Sequence, residues 1–246
     1  MIMKTDHNTH NFTQWFFFKV SNTRRFRQYT FNLLNFLKPD SSFNQGMKPL
    51  MYSKREAETK GMGWQRVGED IAYYANNHQR SKFSNLPGPQ PLASAPAPSA
   101  FFTLSFKLNF KYDYDEVWLA YCYPYTYSDC TRHLQSLTHL KDRVRRTPLC
   151  RTLAGNDCEM LIITNFLSEP EAIALRPAVI LTGRIHPGES NSSWIMEGLI
   201  DYVLSDEQGA RILREKFVFK IVPMLNPDGV IVGNYRCSLA GYDLNR

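Results

Sequence analysis

The sequence predicts an α/β protein in two parts: a β-sandwich-like front half, then an α/β region built on a mixed, largely parallel sheet. Three observations predict it. Aromatic residues make up 13% of the chain and many lie in its first half, where their rings suit a pleated, half-buried surface. Leu104, Phe106, Leu108 and Phe110 alternate along one segment, the period of a strand with one buried face. From about Met160 onward, continuous apolar runs alternate with helical segments, as strands covered on both faces do.

The elements follow in order. Trp15 to Val20 and Tyr29 to Phe36 are apolar runs separated by a turn at Asn22 and Thr23. They read as strands, in a hairpin or in neighbouring sheets. Lys38 to Lys48, with Pro39, Asp40, Ser41, Ser42 and Gly46, reads as a loop. Ser53 to Lys60 reads as a short helix, with Ser53 as N-cap and Glu56 three residues on; Gly61 and Gly63 end it. Ile71 to Tyr74 reads as a strand. Pro87 to Ser99 is rich in proline and alanine, offers neither ladder donors nor a core, and is expected to be an extended loop. Phe101 to Phe110 and Val117 to Tyr123 complete the β-rich half.

The pattern then changes. Ser128 can cap a helix running to about Arg145. Strands are expected at Met160 to Thr164, Ala178 to Thr182 and Phe217 to Leu225, with helices at Ser192 to Leu204 and Asp206 to Glu215. Asn226-Pro227-Asp228-Gly229 reads as a turn. The domains are placed at residues 1–120 and 121–246, with the boundary near Tyr121 to Tyr127, and no internal repeat is visible.

Composition bounds the function. The chain has 246 residues, 43% hydrophobic and 21% charged, an ordinary globular balance. No run of eighteen apolar residues predicts a membrane helix, and the polar opening Met1 to His10 argues against a signal peptide. The five cysteines, Cys122, Cys130, Cys150, Cys158 and Cys237, form no CxxC pair, so free thiols are expected. The net charge of +6 can favour nucleic acid, an anionic membrane or an acidic protein. The runs Arg24, Arg25, Arg27 and Arg143, Arg145, Arg146 read as solvated surface. No RNP, KH or helix–turn–helix signature supports a nucleic-acid binder.

Chemistry concentrates after Ala178. Arg184-Ile185-His186-Pro187-Gly188-Glu189 follows an apolar strand and precedes a helix, and ligands of open α/β sheets gather at such strand ends. Pro187 and Gly188 can turn the chain so that the His186 imidazole and Glu189 carboxylate converge on one Zn²⁺. An HxxE alone is weak, since a surface histidine beside a capping glutamate has the same spelling. The elements beyond the next strand strengthen it. Arg236, Asn245 and Arg246 fall in loops there, and guanidinium and amide groups match a carboxylate. An exopeptidase needs such donors to hold a terminal carboxylate beside its metal. His133 and His139 are six positions apart on the expected helix, which spreads them around it and excludes joint chelation.

The runs His186-Pro-Gly-Glu189, Phe219-Lys-Ile-Val-Pro-Met-Leu-Asn-Pro-Asp-Gly-Val230 and Gly233-Asn-Tyr-Arg-Cys-Ser-Leu-Ala-Gly-Tyr-Asp-Leu-Asn-Arg246 resemble the cytosolic carboxypeptidases, zinc enzymes that remove glutamates from tubulin. Tyr123-Pro-Tyr-Thr-Tyr-Ser-Asp129 resembles the opening of their catalytic domain. Phe18-Lys-Val-Ser-Asn-Thr-Arg24 and Gly63-Trp-Gln-Arg66 resemble parts of the β-sandwich before it. Arg151-Thr-Leu-Ala-Gly-Asn156 and Val230-Ile-Val-Gly-Asn234 are most similar to subgroups 2 and 3 of that family.

The resemblance implies Zn²⁺ as cofactor, with His186 and Glu189 as its first two ligands. It implies Arg236 as the catalytic and substrate-binding arginine near the scissile carbonyl, and Asn245 and Arg246 as holders of the substrate carboxylate. It implies polyglutamylated tubulin tails or other acidic protein ends as partners, no nucleic acid or membrane, and a cytoplasmic, cytoskeletal, centriolar or ciliary location. The family's third ligand (a histidine), its catalytic glutamate and its tyrosine lie beyond the DLNR motif, so the chain by itself is expected to lack them. The opening sandwich strands are likewise expected to be missing, and the proline-rich stretch is expected to be an insertion. A short isoform that binds tubulin or another partner without catalysis is the alternative.

Overall fold

The computed structural model describes residues 1–2, 5–9, 12–79 and 100–246; the proline-rich Pro87 to Ser99 lies outside them. The chain divides into two compact units, residues 1–5 with 9–123 and residues 6–8 with 124–246.

In the first unit, one antiparallel sheet has the order β1–β7–β3–β4 and a second the order β2–β6–β5. Their ranges are β1 Phe17–Val20, β2 Gln28–Phe36, β3 Leu50–Ser53, β4 Gln65–Arg66, β5 Glu69–Gln79, β6 Ala100–Asn109 and β7 Val117–Ala120. Phe36, Leu104, Phe106 and Leu119 from the two sheets, with Phe16 just before β1, form one buried core. Phe31 lies opposite Phe106 in the β2–β6 register and their rings stack at 5.3 Å, which adds specific attraction to the buried area. The first two apolar runs thus belong to neighbouring sheets rather than to a hairpin. Between them Asn22 and Phe26 take positive φ and redirect the chain. The short helix forms as expected: α1 (Lys54–Lys60) begins where Ser53 Oγ accepts from Glu56 N at 3.0 Å and ends at left-handed Gly61.

The second unit holds β8 (Val144–Arg151), β9 (Asp157–Ile163), β10 (Ala178–Thr182) and β11 (Val218–Val222), in the order β10–β11–β9–β8. Its helices are α2 (Tyr127–Ser136), α3 (Pro170–Ala174), α4 (Ser190–Leu204), α5 (Gln208–Lys216) and α6 (Pro227–Val232). Leu134, Leu161, Ile163, Ile200 and Ile221 sit in its core. The sheet is mixed, but it is less parallel than the sequence suggested. Only β10 and β11 run parallel, joined through α4 and α5, while β11–β9 and β9–β8 are antiparallel. The short connection 152–156 between β8 and β9 makes a hairpin, and hairpin strands must oppose each other.

Two further expectations are corrected. The helix expected from Ser128 to Arg145 is capped by Thr126, whose Oγ1 accepts from Asp129 N, and stops at Ser136. Turns follow over 137–143, and edge strand β8 begins at Val144. There Arg146 Nη2 donates to Glu159 at 2.5 Å across the ladder, and the Arg145 guanidinium lies 4.1 Å from the Phe166 ring centre. His133 and His139 accordingly share no helix. His133 Nε2 meets Asp201 at 2.7 Å and His139 Nδ1 meets the Ser136 carbonyl at 2.8 Å. The Asn226–Gly229 turn is the first turn of α6. Asn226 Oδ1 accepts from Gly229 N at 3.1 Å with Pro227 at the first helical position, both helix-start signals. All five cysteines are free, and no described helix is long and apolar enough to cross a membrane.

Candidate metal and carboxylate site

The parallel pair β10–β11 ends beside the site. Beyond Thr182, Gly183 N donates to Val222 O at 3.0 Å and Leu225 N to Gly183 O at 2.9 Å, so the two loops leave the sheet side by side. Arg184 then takes a left-handed φ of 54°, uncommon for a residue with a long side chain. Its buried guanidinium holds the loop in shape. Nε donates to Pro187 O at 2.8 Å, Nη1 to Ser193 Oγ at 2.8 Å and Nη2 to Tyr125 O at 3.1 Å. Asn226 Nδ2 adds a bond to Ile185 O at 3.2 Å. A β-carbon on Gly188 would lie 2.5 Å from the Tyr235 ring, and Gly188 N donates to Tyr235 O at 2.8 Å. Only glycine lets the His186–Glu189 turn close on the 234–238 stretch.

This turn brings His186 and Glu189 together. His186 is buried, and its Nδ1 lies 3.3 Å from Glu189 Oε2. Two donors held about 2.0–2.1 Å from one tetrahedral ion stand about 3.4 Å apart, so the pair fits Zn²⁺. Among the described residues no group of three His, Cys, Asp or Glu side chains is gathered for a metal.

The other ring nitrogen points to a residue to which the sequence assigned no role. His186 Nε2 lies 3.1 Å from Asp243 Oδ1, and Arg236 Nε donates to Asp243 Oδ2 at 2.6 Å. Asn245 N donates to Asp243 Oδ1 at 2.9 Å. Burial alone would raise the Asp243 carboxyl. Hydrogen bonds from Asn245 N, His186 and Arg236, with the Arg236 charge, outweigh it and hold the group below the usual carboxylate range. An ionised Asp243 only accepts, so Nε2 carries the proton and Nδ1, on the Glu189 side, is left for a metal.

Asn245 and Arg246 are exposed. Asn245 meets Asp243 through its backbone, and Arg246 Nη1 donates to the Asn245 carbonyl at 2.8 Å. His186, Glu189 and Arg236 are therefore joined through side chains, with Asn245 attached by its backbone and Arg246 beside it.

A family model described as zinc carboxypeptidase matches residues 112–246, more than half of the chain. The chain belongs to the zinc carboxypeptidase family. This family member is similar along its whole length to cytosolic carboxypeptidase 2 of Homo sapiens, at 46% identity over 249 residues, covering 26% of that relative. To cytosolic carboxypeptidase 3 of Mus musculus it is 47% identical over 251 residues, covering all of this chain and 23% of the relative. It spans about a quarter of the length of these relatives. Among solved structures, a metallo-carboxypeptidase from Burkholderia cenocepacia superposes with a TM-score of 0.71 at 22% identity, over 98% of this chain and 53% of that one. One from Pseudomonas aeruginosa, in complex with (2-guanidinoethylmercapto)succinic acid, gives 0.68 at 24% identity, over 98% and 53%. At these identities the likeness is one of fold.

Proposed function

We propose that this zinc carboxypeptidase-family chain supplies metal ligands and the substrate-carboxylate site of an enzyme that removes glutamates from polyglutamylated protein tails, with tubulin tails as partner. The observation that carries the reading is the Asp243 carboxylate. It takes His186 on one oxygen and Arg236 on the other, so the metal pair and the arginine adjoin. The cytosolic carboxypeptidase relatives support carboxypeptidase chemistry, and the net charge of +6 suits an acidic substrate.

Bound Zn²⁺ would supply Lewis-acid polarisation of the scissile carbonyl and activation of water. His186 and Glu189 would hold the ion. Arg236 would donate to the carbonyl oxygen as its charge grows, a contribution typically worth on the order of 10²–10³ in rate. The Asn245 amide and Arg246 guanidinium would hold the terminal carboxylate, fixing which bond is presented.

The test uses the longest product of the gene. His186→Ala and Glu189→Ala should each abolish stoichiometric zinc by elemental analysis. Asn245→Ala should retain zinc yet lower kcat/KM for release of glutamate from a free-ended glutamate peptide by roughly 10-fold or more. Full zinc content in both ligand variants, or zinc loss in Asn245→Ala, refutes the assignment.

A further inference from the structure

Arg236 lies between α6 and the end of the chain, in a stretch with no helix or strand, so no ladder fixes its backbone. One carboxylate does so instead. Tyr235 N donates to Asp6 Oδ1 at 2.6 Å, Arg236 N to Asp6 Oδ2 at 2.8 Å and Cys237 N to Asp6 Oδ2 at 2.6 Å. Asp6 is 4% exposed and takes a φ of 70°, and Asn8 takes 59°, left-handed conformations that Asp and Asn tolerate better than most residues. The tight turn they make is tied to the same stretch at further points. His7 N donates to Asn234 Oδ1 at 3.2 Å and Asn8 Nδ2 to Leu239 O at 2.9 Å. Residues 6–8 belong to the unit that carries the site.

Consecutive N–H groups aimed at one point form an anion-binding concavity, and buried N–H groups left without acceptors are costly. Here the anion is built into the chain. On the far side Gly188 N holds Tyr235 O at 2.8 Å. The backbone that bears Arg236 is therefore gripped between Asp6 and the His186–Glu189 turn.

We propose that Asp6 is a positioning residue for Arg236: its carboxylate locks the backbone of residues 235–237 and thereby sets where the Arg236 guanidinium stands in the carboxylate site. The inference rests on the reading of Arg236 as a substrate-binding residue. Asparagine at position 6 would turn one acceptor oxygen into an N–H₂ facing other donors, and alanine would leave all three N–H groups without their acceptor.

The experiment measures binding of a triglutamate peptide with a free terminal carboxylate, and of its C-terminal amide, by calorimetry on the 246-residue chain. The wild type should prefer the free acid. Asp6→Asn and Asp6→Ala should lower that preference about 10-fold or more, since a displacement of about 1 Å in a positioned group can cost on the order of 10²-fold. Affinity for the amide should hold, which a general loss of fold would not allow. In the wild type, hydrogen exchange at the amides of Tyr235, Arg236 and Cys237 should be slow. Exchange there at the rate of an open loop overturns the proposal even if neither variant folds. Acid preference that survives in folded Asp6→Ala overturns it too. Absence of any preference in the wild type defeats the reading of Arg236 itself, and the role of Asp6 falls with it.

Discussion

Asp243 is the residue on which the site turns. Its two oxygens serve His186 and Arg236, so one carboxylate orients the proposed metal ligand and restrains the proposed substrate-binding arginine. Outer carboxylates of this kind fix the tautomer of a ligating histidine, and their loss typically costs about 10–100-fold in metal affinity. Asp243→Asn should weaken zinc binding by that order, read by competition with a chromogenic chelator, while the protein stays folded. Unchanged affinity would mean that Asp243 only shapes the loop. The types and order of His186, Glu189, Arg236, Asn245 and Arg246 could be read from the sequence because each carries a recognisable donor at a strand end. Asp243 sat in the same run and had no legible role. Its partner His186 lies 57 positions earlier, and an aspartate before Leu-Asn looks like any turn residue. Asp6 was less visible still, since its N–H partners begin 229 positions away.

Among the elements, α6 links the two halves of the site. A β-carbon on Gly229 would lie 2.4 Å from Pro187 Cγ, 2.8 Å from Asn226 Oδ1 and 2.9 Å from Cys237 O. Two of those neighbours are a ring and a backbone carbonyl, neither of which can swing away. Gly229→Ala should therefore push Pro187 and its loop off α6, destabilising by about 1–3 kcal/mol and weakening zinc binding together with stability. A variant with wild-type melting and zinc affinity would show the contact to be slack. Helix α6 also shows what local sequence could not decide. Asn-Pro-Asp-Gly spells a turn as well as an N-cap with proline at the first position, and only the packing of the residues that follow separates them. β8 was lost for a related reason. Val144 through Arg146 has no clear period and three arginines lie close together, so a helix extending from Ser128 read naturally. The cross-strand partner Glu159 and the Phe166 ring, which make strand the better state, are long-range facts. By contrast β10 and α1 were legible, one from an uninterrupted apolar run bounded by breakers, the other from Ser53 and Glu56 at capping-box spacing.

At the scale of the whole molecule, each unit closes over its own apolar core and each buries a carboxylate that must stay ionised. In the first unit Glu56 is fully buried. Lys111 Nζ donates to it at 2.9 Å and Gln65 Nε2 at 3.2 Å. In the second, Asp228 accepts from Thr152 Oγ1 at 2.6 Å, Asn156 Nδ2 at 2.8 Å and Ala154 N at 3.1 Å, so it pins the β8–β9 turn to α6. Burial alone would raise both carboxyls, but these hydrogen bonds, with the charges of Lys111 and Lys60 on Glu56, outweigh it and both are held low. The sign follows by linkage. The unfolded chain takes up these protons at the ordinary carboxylate values of about 3.9–4.3, whereas the folded chain does so only at lower pH. The stabilisation is thus complete near neutral pH, declines as pH falls through the ordinary range, and is gone below the folded values. Melting temperature should be nearly level from pH 7 to about 6 and fall steeply below about 5. Asp228→Asn and Glu56→Gln should each cost on the order of 1–3 kcal/mol at pH 7. Neither amide titrates, so combining them should also flatten the acid limb and narrow the gap between variant and wild type as pH falls through the ordinary carboxylate range. If the doubly substituted chain keeps the wild-type slope between pH 5 and 3, the acid sensitivity belongs to other carboxylates. The two buried anions would then be packing features rather than the groups through which the molecule senses acid.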